Sequence, residues 1–336
     1  MKRKIIYALI FLLALVLIGD SLKRDANLFS RDGVSMNTVI RIAAKSNSRE
    51  PVDAAFNLLE KLDQSLSMYD KNSDLTQINS MAGVKAINFQ NEFIAEITER
   101  ARKIYYMTDG TFNPLIGSLT KLWKINQNDN TMPDIKSIDQ ALKLTDINNL
   151  VVNSDSVFLK MPGAALDFGG IAKGYASEKI ADLFKNYGVE SGLIDLGGNI
   201  FVIGKNNGKS WQIGIRDPIS PNNPPAIIIA AEDTAVITSG NYERYKIIDG
   251  VKYSHFFNPA DGMPVKNDLL SVTVITPDAT AADALATAFM ITGIERAKKI
   301  IPENFGVIFI REGIEINASM NLKNKIVRSN YPVNFF

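Results

Sequence analysis

The chain has 336 residues, of which 46% are hydrophobic and 22% charged, a balance typical of a globular protein with a sizeable core. The formal net charge is only +1, so no long-range field favours nucleic acid or an acidic surface as a partner. There is no cysteine. This excludes disulfide bonds, thiolate metal ligands, a cysteine nucleophile and a lipid-modified N-terminal cysteine.

The first 20 residues have the pattern of an export segment. Lys2, Arg3 and Lys4 precede an uncharged apolar run over 5–18. This run is shorter than an ordinary membrane span and matches the apolar core of a secretion signal. No clear cleavage motif follows, so a cleaved signal peptide and a retained membrane anchor both stay open. In either case we expect the rest of the chain on the outer side of the cytoplasmic membrane, anchored or periplasmic.

The next segments predict a strand over 34–44 and a helix that begins at Pro51, where apolar residues recur with a period near 3.6. Ser73 is the expected N-cap of a short second helix. Tyr69, between the two helices, is either a core aromatic or a plate on which a flat ligand stacks. Taken alone, this residue favours core packing.

Further along, a helix is predicted over 91–107, ending in a turn at 108–110. Polar residues over 126–133 predict a loop. No change of composition marks a flexible interdomain linker, and no internal repeat is present.

The segment 165–175 places several glycines at the entry to a predicted helix that runs to Tyr187. Such glycines let backbone amides approach a ligand closely, and a helix N-terminus favours an anion. Lys173 would add a positive charge. The spacing fits neither a dinucleotide-binding fingerprint nor a Walker loop, so a phosphate site and a structural turn remain equal alternatives.

Two more glycine-containing stretches follow. The stretch 193–203 predicts one buried strand with Gly197 and Gly198 in its middle, which indicates a bulge or a close approach of another group. The stretch 204–210 ends in Gly-Lys-Ser, but it is too short for a Walker loop and lies between two strands. It therefore predicts a hairpin turn.

The only histidine, His255, stands at the end of a predicted strand, just before a turn containing Pro259 and Gly262. Another predicted strand ends upstream at 238–240, where hydroxyls and backbone amides gather. An imidazole exchanges protons near neutrality because its ordinary pKa is about 6.5. A lone histidine is more often a surface or core residue, and the phosphate and metal signals elsewhere in the chain favour a catalytic base instead.

After a strand over 269–276, a helix over 280–290 carries Asp283 and Thr287 one turn apart, so their oxygens share a face. A carboxylate and a hydroxyl near a helix start, together with carbonyl oxygens from a glycine loop, suit Mg²⁺. Thr280 and Asp283 also fit a capping box, which is the alternative explanation of Asp283.

Seven segments, in a fixed order, together resemble the ApbE family of FAD:protein FMN transferases. With Met36 at their start, they extend from residue 36 to about 293, nearly the whole exported part. The segments are 66–69 with Ser73 and Asn79; 108–114; 166–175; 195–199; 238–245; His255 with Pro259 and Gly262; and Asp283 with Thr287.

The resemblance implies a single α+β domain over 30–336 of the T-fold-like type, with mixed and antiparallel sheets flanked by helices. The signal or anchor segment over 1–20 precedes it. The implied enzyme takes FAD, attaches its FMN half through a phosphoester to a threonine of an acceptor flavoprotein, and releases AMP with the help of Mg²⁺. Its setting implies an acceptor outside the cytoplasmic membrane, to which an uncleaved N-terminus would attach this chain.

The resemblance also assigns roles to residues. His255 is the implied base, needed because a threonine hydroxyl is a poor nucleophile. Mg²⁺ is implied to be held by Asp283, Thr287 and the carbonyl of Gly170. Tyr69 is implied to stack on the flavin. The rest of the implied FAD pocket is formed by Met36, Thr111, Phe112, Asn113, Asp167, Lys173, Thr238, Ser239 and Gly240.

The chain departs from the family pattern at four positions. Asn37 stands where glycine is common, Leu115 where threonine is, and Asn113 and Asn258 where aspartate is frequent. Asparagine keeps an acceptor oxygen but loses the charge, so FAD affinity is expected to differ. Two other functions remain open: an FAD pyrophosphatase, in which water replaces threonine and free FMN leaves, and a flavin-binding protein without catalysis.

Overall fold

A computed structural model describes residues 27–89, 92–125, 131–220 and 222–336. Helices within these ranges are short to medium in length. They are α1 (Glu50–Leu66), α2 (Asp74–Ser80), α3 (Phe93–Met107), α4 (Gly117–Trp123), α5 (Ile135–Lys143), α6 (Ala172–Asn186), α7 (Ala279–Thr292) and α8 (Ile294–Ala297).

The main sheet is mixed, and its neighbouring strands are antiparallel except for the last pair, which is parallel. Its spatial order is β1 (Asn27–Ser35), β2 (Thr38–Ser46), β6 (Ser191–Leu196), β7 (Asn199–Gly204), β10 (Thr234–Gly240), β13 (Leu269–Thr276), β14 (Gly306–Arg311), β15 (Ile316–Ala318) and β17 (Val333–Phe335).

Three smaller antiparallel sheets complete the described strands. One contains β3 (Ile87–Asn88), β5 (Ser156–Leu159) and β4 (Leu150–Val152). A second contains β16 (Ile326–Ser329), β9 (Ile227–Ala231) and β8 (Trp211–Ile215). The third is a hairpin of β11 (Tyr245–Ile248) and β12 (Val251–Ser254) that leads directly to His255.

Side chains of the main sheet alternate between two hydrophobic cores. In β14, Val307 and Phe309 belong to the larger core, which the helices share, whereas Ile308 and Ile310 belong to a second core. This second core also contains Ile229 and other residues of β8 and β9. Successive strand residues point to opposite faces, so a strand that is covered on both sides is apolar throughout.

Helix α7 is buried along most of its length and contacts α6 as well as β10 and β13. Its many alanines add little volume, so α6 can approach closely. At Gly174 of α6, a Cβ atom would lie 2.2 Å from the carbonyl oxygen of Ala279, which leaves no room for any other residue. This packing brings the polar residues of α7 to the glycine-rich start of α6.

Two predictions of a single strand were wrong, because each stretch forms a hairpin. The stretch 34–44 divides into β1 and β2 at Met36 and Asn37, with φ of 49° and 58°. The stretch 193–203 divides into β6 and β7 at Gly197 and Gly198, with φ of 70° and 89°. Asparagine tolerates this left-handed conformation, which explains how Asn37 can replace the glycine common in the family. Methionine is an unusual turn residue, so the sequence pattern did not predict the first hairpin.

Several local predictions are confirmed. Pro51 lies in the first turn of α1, and the Ser73 hydroxyl accepts a hydrogen bond from the N–H of Thr76 at 3.0 Å, capping α2. Helix α3 ends at Met107, before the turn at 108–110. The turn predicted in 204–210 is present, although β8 leaves it for a different sheet from that of β7.

The apolar run over 5–18 and most of the loop predicted over 126–133 lie outside the described residues. In the ranges that are described, no helix combines the length and apolar character needed to cross a membrane. The export segment over 1–20 therefore stays a prediction.

Candidate active site

Asp283 is buried on α7, with 3% of its surface exposed, and both of its carboxylate oxygens accept hydrogen bonds. Oδ2 accepts from the backbone N–H of Gly174 at 2.9 Å, and Oδ1 accepts from Nδ2 of Asn199 at 3.0 Å. Two donors from different elements thus hold this carboxylate in one orientation. A buried carboxylate requires such partners, since an isolated buried charge is costly.

The capping-box explanation of Asp283 is wrong. The N-cap of α7 is Asp278, whose side chain accepts from the N–H of Ala281 at 2.8 Å. The Thr280 hydroxyl donates instead to Glu178 of α6 at 2.7 Å. Asp283 is therefore not needed to begin the helix, and its carboxylate faces α6 and β7.

Gly170 and Thr287, the other two predicted metal-binding residues, lie against each other. A Cβ atom at Gly170 would be 2.9 Å from Oγ1 of Thr287 and 3.4 Å from the ring of Phe112. The glycine is thus required by close packing against a hydroxyl of α7. Gly170 and Thr287 are therefore in contact, and Asp283 lies one turn before Thr287 on α7. We call these three predicted metal-binding residues the cation site.

The glycine-rich segment before α6 is partly a structural turn, because several of its amides already have partners. Gly169 donates its N–H to Oδ1 of Asp167 at 2.8 Å, and Gly174 donates to Asp283. Asp167 also accepts from the Thr120 hydroxyl at 2.8 Å. The hydrogen bonds of this segment therefore position Gly170 and Asp283. Lys173 is the residue of the segment that carries a positive charge.

His255 follows β12, and its Nδ1 lies 3.0 Å from the carbonyl oxygen of Arg244. A carbonyl oxygen only accepts, so this hydrogen bond requires the proton on Nδ1 and leaves the lone pair on Nε2. An imidazole fixed in this tautomer can take a proton from a hydroxyl. The ring also packs on Phe256, with the ring centroids 4.0 Å apart.

Burial lowers the pKa of His255 to about 3, and the nearby charges of Arg244 and Lys173 act in the same direction. The residue keeps some exposed surface, but protein atoms closely surround the ring. The hydrogen bond to the Arg244 carbonyl opposes the shift. His255 is consequently neutral at pH 7, the state that a general base requires.

Lys173 connects the two halves of the site. Its charge contributes to the lowered pKa of His255, and it opposes the rise that burial causes in the pKa of Asp195. Lys173 therefore lies within electrostatic range of both side chains. Its neighbour Gly174 donates its backbone N–H to Asp283, so the main chain at Lys173 also lies close to the cation site.

The end of β10 contributes Thr238, Ser239 and Gly240, as predicted for a strand terminus. Oγ1 of Thr238 lies 2.8 Å from Oγ1 of Thr273 on β13, so this hydroxyl has a partner inside the sheet. Ser239 is half-buried, and Gly240 is buried beside the ring of Tyr242. The structure shows no contact that ties these three residues to His255.

Tyr69 is exposed over 56% of its surface, so the preference for core packing was wrong. It lies in a loop after α1 that is fixed by Ser67, whose hydroxyl accepts from the N–H groups of Tyr69 and Asp70 at 3.3 and 3.2 Å. An exposed ring on a rigid loop is suited to stacking on a flat ligand.

A groove of about 310 Å³ lies between the β1–β2 hairpin and α1. Its lining includes Ser35 and Asp70, the sequence neighbours of Met36 and Tyr69. Met36, held at positive φ, donates its N–H to Asp63 at 3.2 Å, and Asp63 lines this groove. The cation site and His255 do not line it. A second cavity, of about 390 Å³, lies against α3 and contains none of the predicted site residues.

Thr111, Phe112 and Asn113 are buried between α3 and α4. Nδ2 of Asn113 donates to the carbonyl of Thr145 at 2.9 Å, and its Oδ1 accepts from the N–H of Leu115 at 2.9 Å. An aspartate has no N–H group and could not donate to the Thr145 carbonyl. Asn113, which stands where aspartate is frequent in the family, therefore makes a contact that an aspartate would lack. Phe112 is the member of this segment that reaches the cation site.

Asn199 is the site residue that sequence reasoning missed. It belongs to the segment 195–199, where the pattern predicts the middle of a single strand. The glycine turn before it makes Asn199 the first residue of β7, and the side chain reaches Asp283 from there. A polar residue directly after a Gly-Gly turn was the available signal.

Comparison with solved structures establishes the class of the fold. The ApbE protein of Thermotoga maritima superposes with a TM-score of 0.82 at 28% identity, covering 90% of this chain and 100% of that one. The flavin transferase ApbE of Vibrio cholerae superposes with a TM-score of 0.80 at 26% identity, covering 89% and 99%. The predicted α+β architecture is confirmed.

Sequence comparisons lead to the same family as the solved structures. Residues 36–309 match the ApbE family. The FAD:protein FMN transferase of Treponema pallidum (strain Nichols) is 32% identical over 321 residues, covering 89% of this chain and 88% of the relative. That of Klebsiella pneumoniae (strain 342) is 30% identical over 303 residues, covering 90% and 91%. The chain belongs to the ApbE family, and these curated relatives are enzymes.

Proposed function

We propose that this protein is a Mg²⁺-dependent FAD:protein FMN transferase that attaches FMN to a threonine of an acceptor protein and releases AMP. Membership of the ApbE family supports the transfer of FMN from FAD. The observation that carries the proposal is the contact of Gly170 with Thr287, one turn after the buried Asp283, while the charge of Lys173 acts on a neutral His255.

The residues of the cation site fit Mg²⁺. Asp283 has accepted one hydrogen bond on each oxygen, and a carboxylate has further lone pairs available. Among the described residues, no group of three or more Asp, Glu, His or Cys side chains is placed so that it could hold a metal ion. One carboxylate with neutral oxygens is typical of a Mg²⁺ that also binds substrate phosphates. Bound there, Mg²⁺ would offset the charge that develops as the diphosphate bond breaks.

His255 supplies the proton acceptor for the transfer step. The threonine hydroxyl gives its proton to Nε2 of His255 while its oxygen forms a bond to the phosphorus of the FMN half. The bond between that phosphorus and the bridging oxygen breaks, so AMP leaves with the bridging oxygen and its electron pair. Lys173 provides a positive charge near the base, where the diphosphate would be anionic.

Tyr69 is proposed to stack on the flavin ring of FAD, and Met36 to line the pocket beside it. Both lie beside the groove between the β1–β2 hairpin and α1, and the Tyr69 ring is exposed for stacking. Stacking of an aromatic ring on a base contributes roughly 1–3 kcal/mol. Thr111, Phe112, Asn113, Asp167, Thr238, Ser239 and Gly240 are proposed to shape the remaining pocket.

The acceptor assay tests the proposal. The chain is incubated with FAD, Mg²⁺ and a candidate acceptor domain, and both AMP and protein-bound flavin are measured. Transfer predicts one covalent flavin on the acceptor for each AMP released. AMP with free FMN and an unmodified acceptor would instead show a pyrophosphatase, since water can replace threonine beside the same Nε2. A yellow protein that yields no AMP would show binding without catalysis.

We also propose that the protein acts outside the cytoplasmic membrane. The support is the basic head and apolar run of residues 1–20, which precede the family match. Cell fractionation and intact-mass measurement of the native protein test this. Recovery in the periplasm or membrane supports export, and the mass shows whether the segment is retained. Recovery of the full-length chain in the cytosol contradicts it.

A further inference from the structure

Asn199 is one of the most deeply buried polar residues in the described part of the chain, with 1% of its surface exposed. Its Nδ2 donates to Oδ1 of Asp283 at 3.0 Å. The carboxylate accepts only, so the amide must present its nitrogen to Asp283 and its oxygen elsewhere. The orientation of the amide group is therefore determined by Asp283.

The oxygen of this amide, Oδ1 of Asn199, is buried and has no hydrogen-bond partner among the described residues. Leaving a buried acceptor unsatisfied is costly, so such an atom in a native site calls for a partner. The unsatisfied oxygen shares one planar amide with the nitrogen that binds Asp283, so it lies one amide width from that nitrogen. It is therefore near the Asp283 carboxylate, with lone pairs free to accept a partner.

The backbone around Asn199 is built to place this side chain. Gly197 and Gly198 form the turn that precedes it, both at positive φ, and the N–H of Gly198 donates to Asp195 at 2.7 Å. From this turn, Asn199 starts β7 in register with Leu196 of β6. The side chain is consequently fixed at the end of a rigid hairpin rather than on a mobile loop.

We infer that Asn199 is a further member of the cation site. Its N–H fixes the carboxylate of Asp283, and its Oδ1 supplies an additional oxygen to the cation, directly or through one water. Mg²⁺ prefers oxygen ligands, and an amide oxygen is among those found in cation sites. This inference rests on the proposed Mg²⁺ dependence, and it adds a residue to which the family resemblance assigned no role.

The test measures cation binding by the purified full chain without FAD. Mn²⁺ is used as a paramagnetic substitute for Mg²⁺, with bound and free ion separated by electron paramagnetic resonance, and Mg²⁺ is then titrated as a competitor. In Asn199→Ala we expect cation affinity to fall by about 10-fold or more, the usual range for such partners of metal ligands. Asn199→Asp keeps an oxygen at this place but loses the donor, so it should retain much more affinity than the alanine variant.

Asn79 provides the matched control. It is also a buried asparagine, but its amide is fully satisfied by the main chain of Leu166, at 2.9 and 2.7 Å. Asn79→Ala should lower the thermal unfolding temperature and leave cation affinity unchanged. Asn199→Ser serves if the alanine variant does not fold.

The outcomes separate the inference from the function on which it rests. Wild-type affinity in both Asn199→Ala and Asn199→Ser overturns the inference and leaves the proposed function in place. Equal weakening in the alanine and aspartate variants overturns the role of the oxygen. Failure of the wild-type chain to bind either ion overturns the proposed cation site and the inference together.

Discussion

At the scale of the residue, burial and one hydrogen bond determine the protonation state of His255. The Arg244 carbonyl selects the tautomer with a free Nε2, and burial together with two neighbouring cations keeps the ring neutral. The Nε2 lone pair is therefore free at pH 7, whereas the lowered pKa makes this nitrogen a weaker proton acceptor than that of an ordinary imidazole. The same burial has a consequence for stability, because the unfolded chain exposes an ordinary imidazole.

The pKa of His255 predicts a pH dependence of stability. It is lowered in the folded state from 6.5 to about 3, so between these values the unfolded chain binds a proton that the folded chain does not. Stability contributed by the neutral ring is present above pH 6.5 and is lost as the pH falls. We expect the urea midpoint to fall more between pH 7 and pH 5 in the wild type than in His255→Gln. Parallel pH curves for the two proteins would contradict the lowered pKa.

Thr287 permits a second test at this scale. Thr287→Val keeps the shape of the side chain and removes the hydroxyl that lies against Gly170. We expect a higher Mg²⁺ concentration for half-maximal AMP release, with little change in folding.

The control for Thr287 is Thr292→Val on the same helix. Its hydroxyl is buried without a hydrogen-bond partner among the described residues, so its removal should be neutral or slightly stabilising. Equal Mg²⁺ dependence in both variants would remove Thr287 from the cation site.

At the scale of the element, Arg100 joins three helices. From α3 its guanidinium reaches Glu178 of α6 and Asp278, the N-cap of α7, at 2.5 Å each. Tyr175 and Lys179 of α6 both bond to Glu96 of α3, which strengthens the same contact. This network joins α3 to α6 and to the start of α7, the two helices that carry or border the cation site.

Replacement of Arg100 is predicted to loosen that pair. Arg100→Ala removes two charge-assisted hydrogen bonds from a partly buried position, so we expect a loss of roughly 1–3 kcal/mol in the free energy of unfolding. Urea unfolding measures it. Arg102→Ala, on the same helix, removes a surface pair with Glu99 and should cost no more than about 0.5 kcal/mol. Similar losses of unfolding free energy in the two variants would mean that Arg100 does not stabilise the contact between the helices.

At the scale of the whole molecule, the sequence predicted local features better than distant ones. Pro51 and Ser73 mark helix starts through their own chemistry, and both predictions were confirmed. The hydrogen bonds that build the cation site join residues 109 and 84 positions apart, and no local pattern encodes such pairs. The sequence alone therefore fits Asp283 equally to a helix cap, and the packing of α7 on α6 shows its true partners.

Two further differences have the same origin. The exposure of Tyr69 depends on the loop that Ser67 fixes, and not on the hydrophobicity of the residue itself. The hairpin at Met36 depends on left-handed conformations that methionine rarely adopts and that Asp63 supports by a hydrogen bond. In both places tertiary contacts override the local preference, and both residues border the groove proposed for FAD.

The central claim, that His255 and the cation site act on one FAD molecule to modify an acceptor, is tested by intact-mass measurement of an acceptor domain. The acceptor is incubated with FAD, Mg²⁺ and either the wild-type chain, His255→Ala or Asp283→Ala. We predict that the wild type adds one FMN to the acceptor with equimolar AMP. His255→Ala should bind FAD and add none, and Asp283→Ala should lose activity together with its Mg²⁺ dependence. An acceptor that gains the same mass with all three proteins would contradict the account.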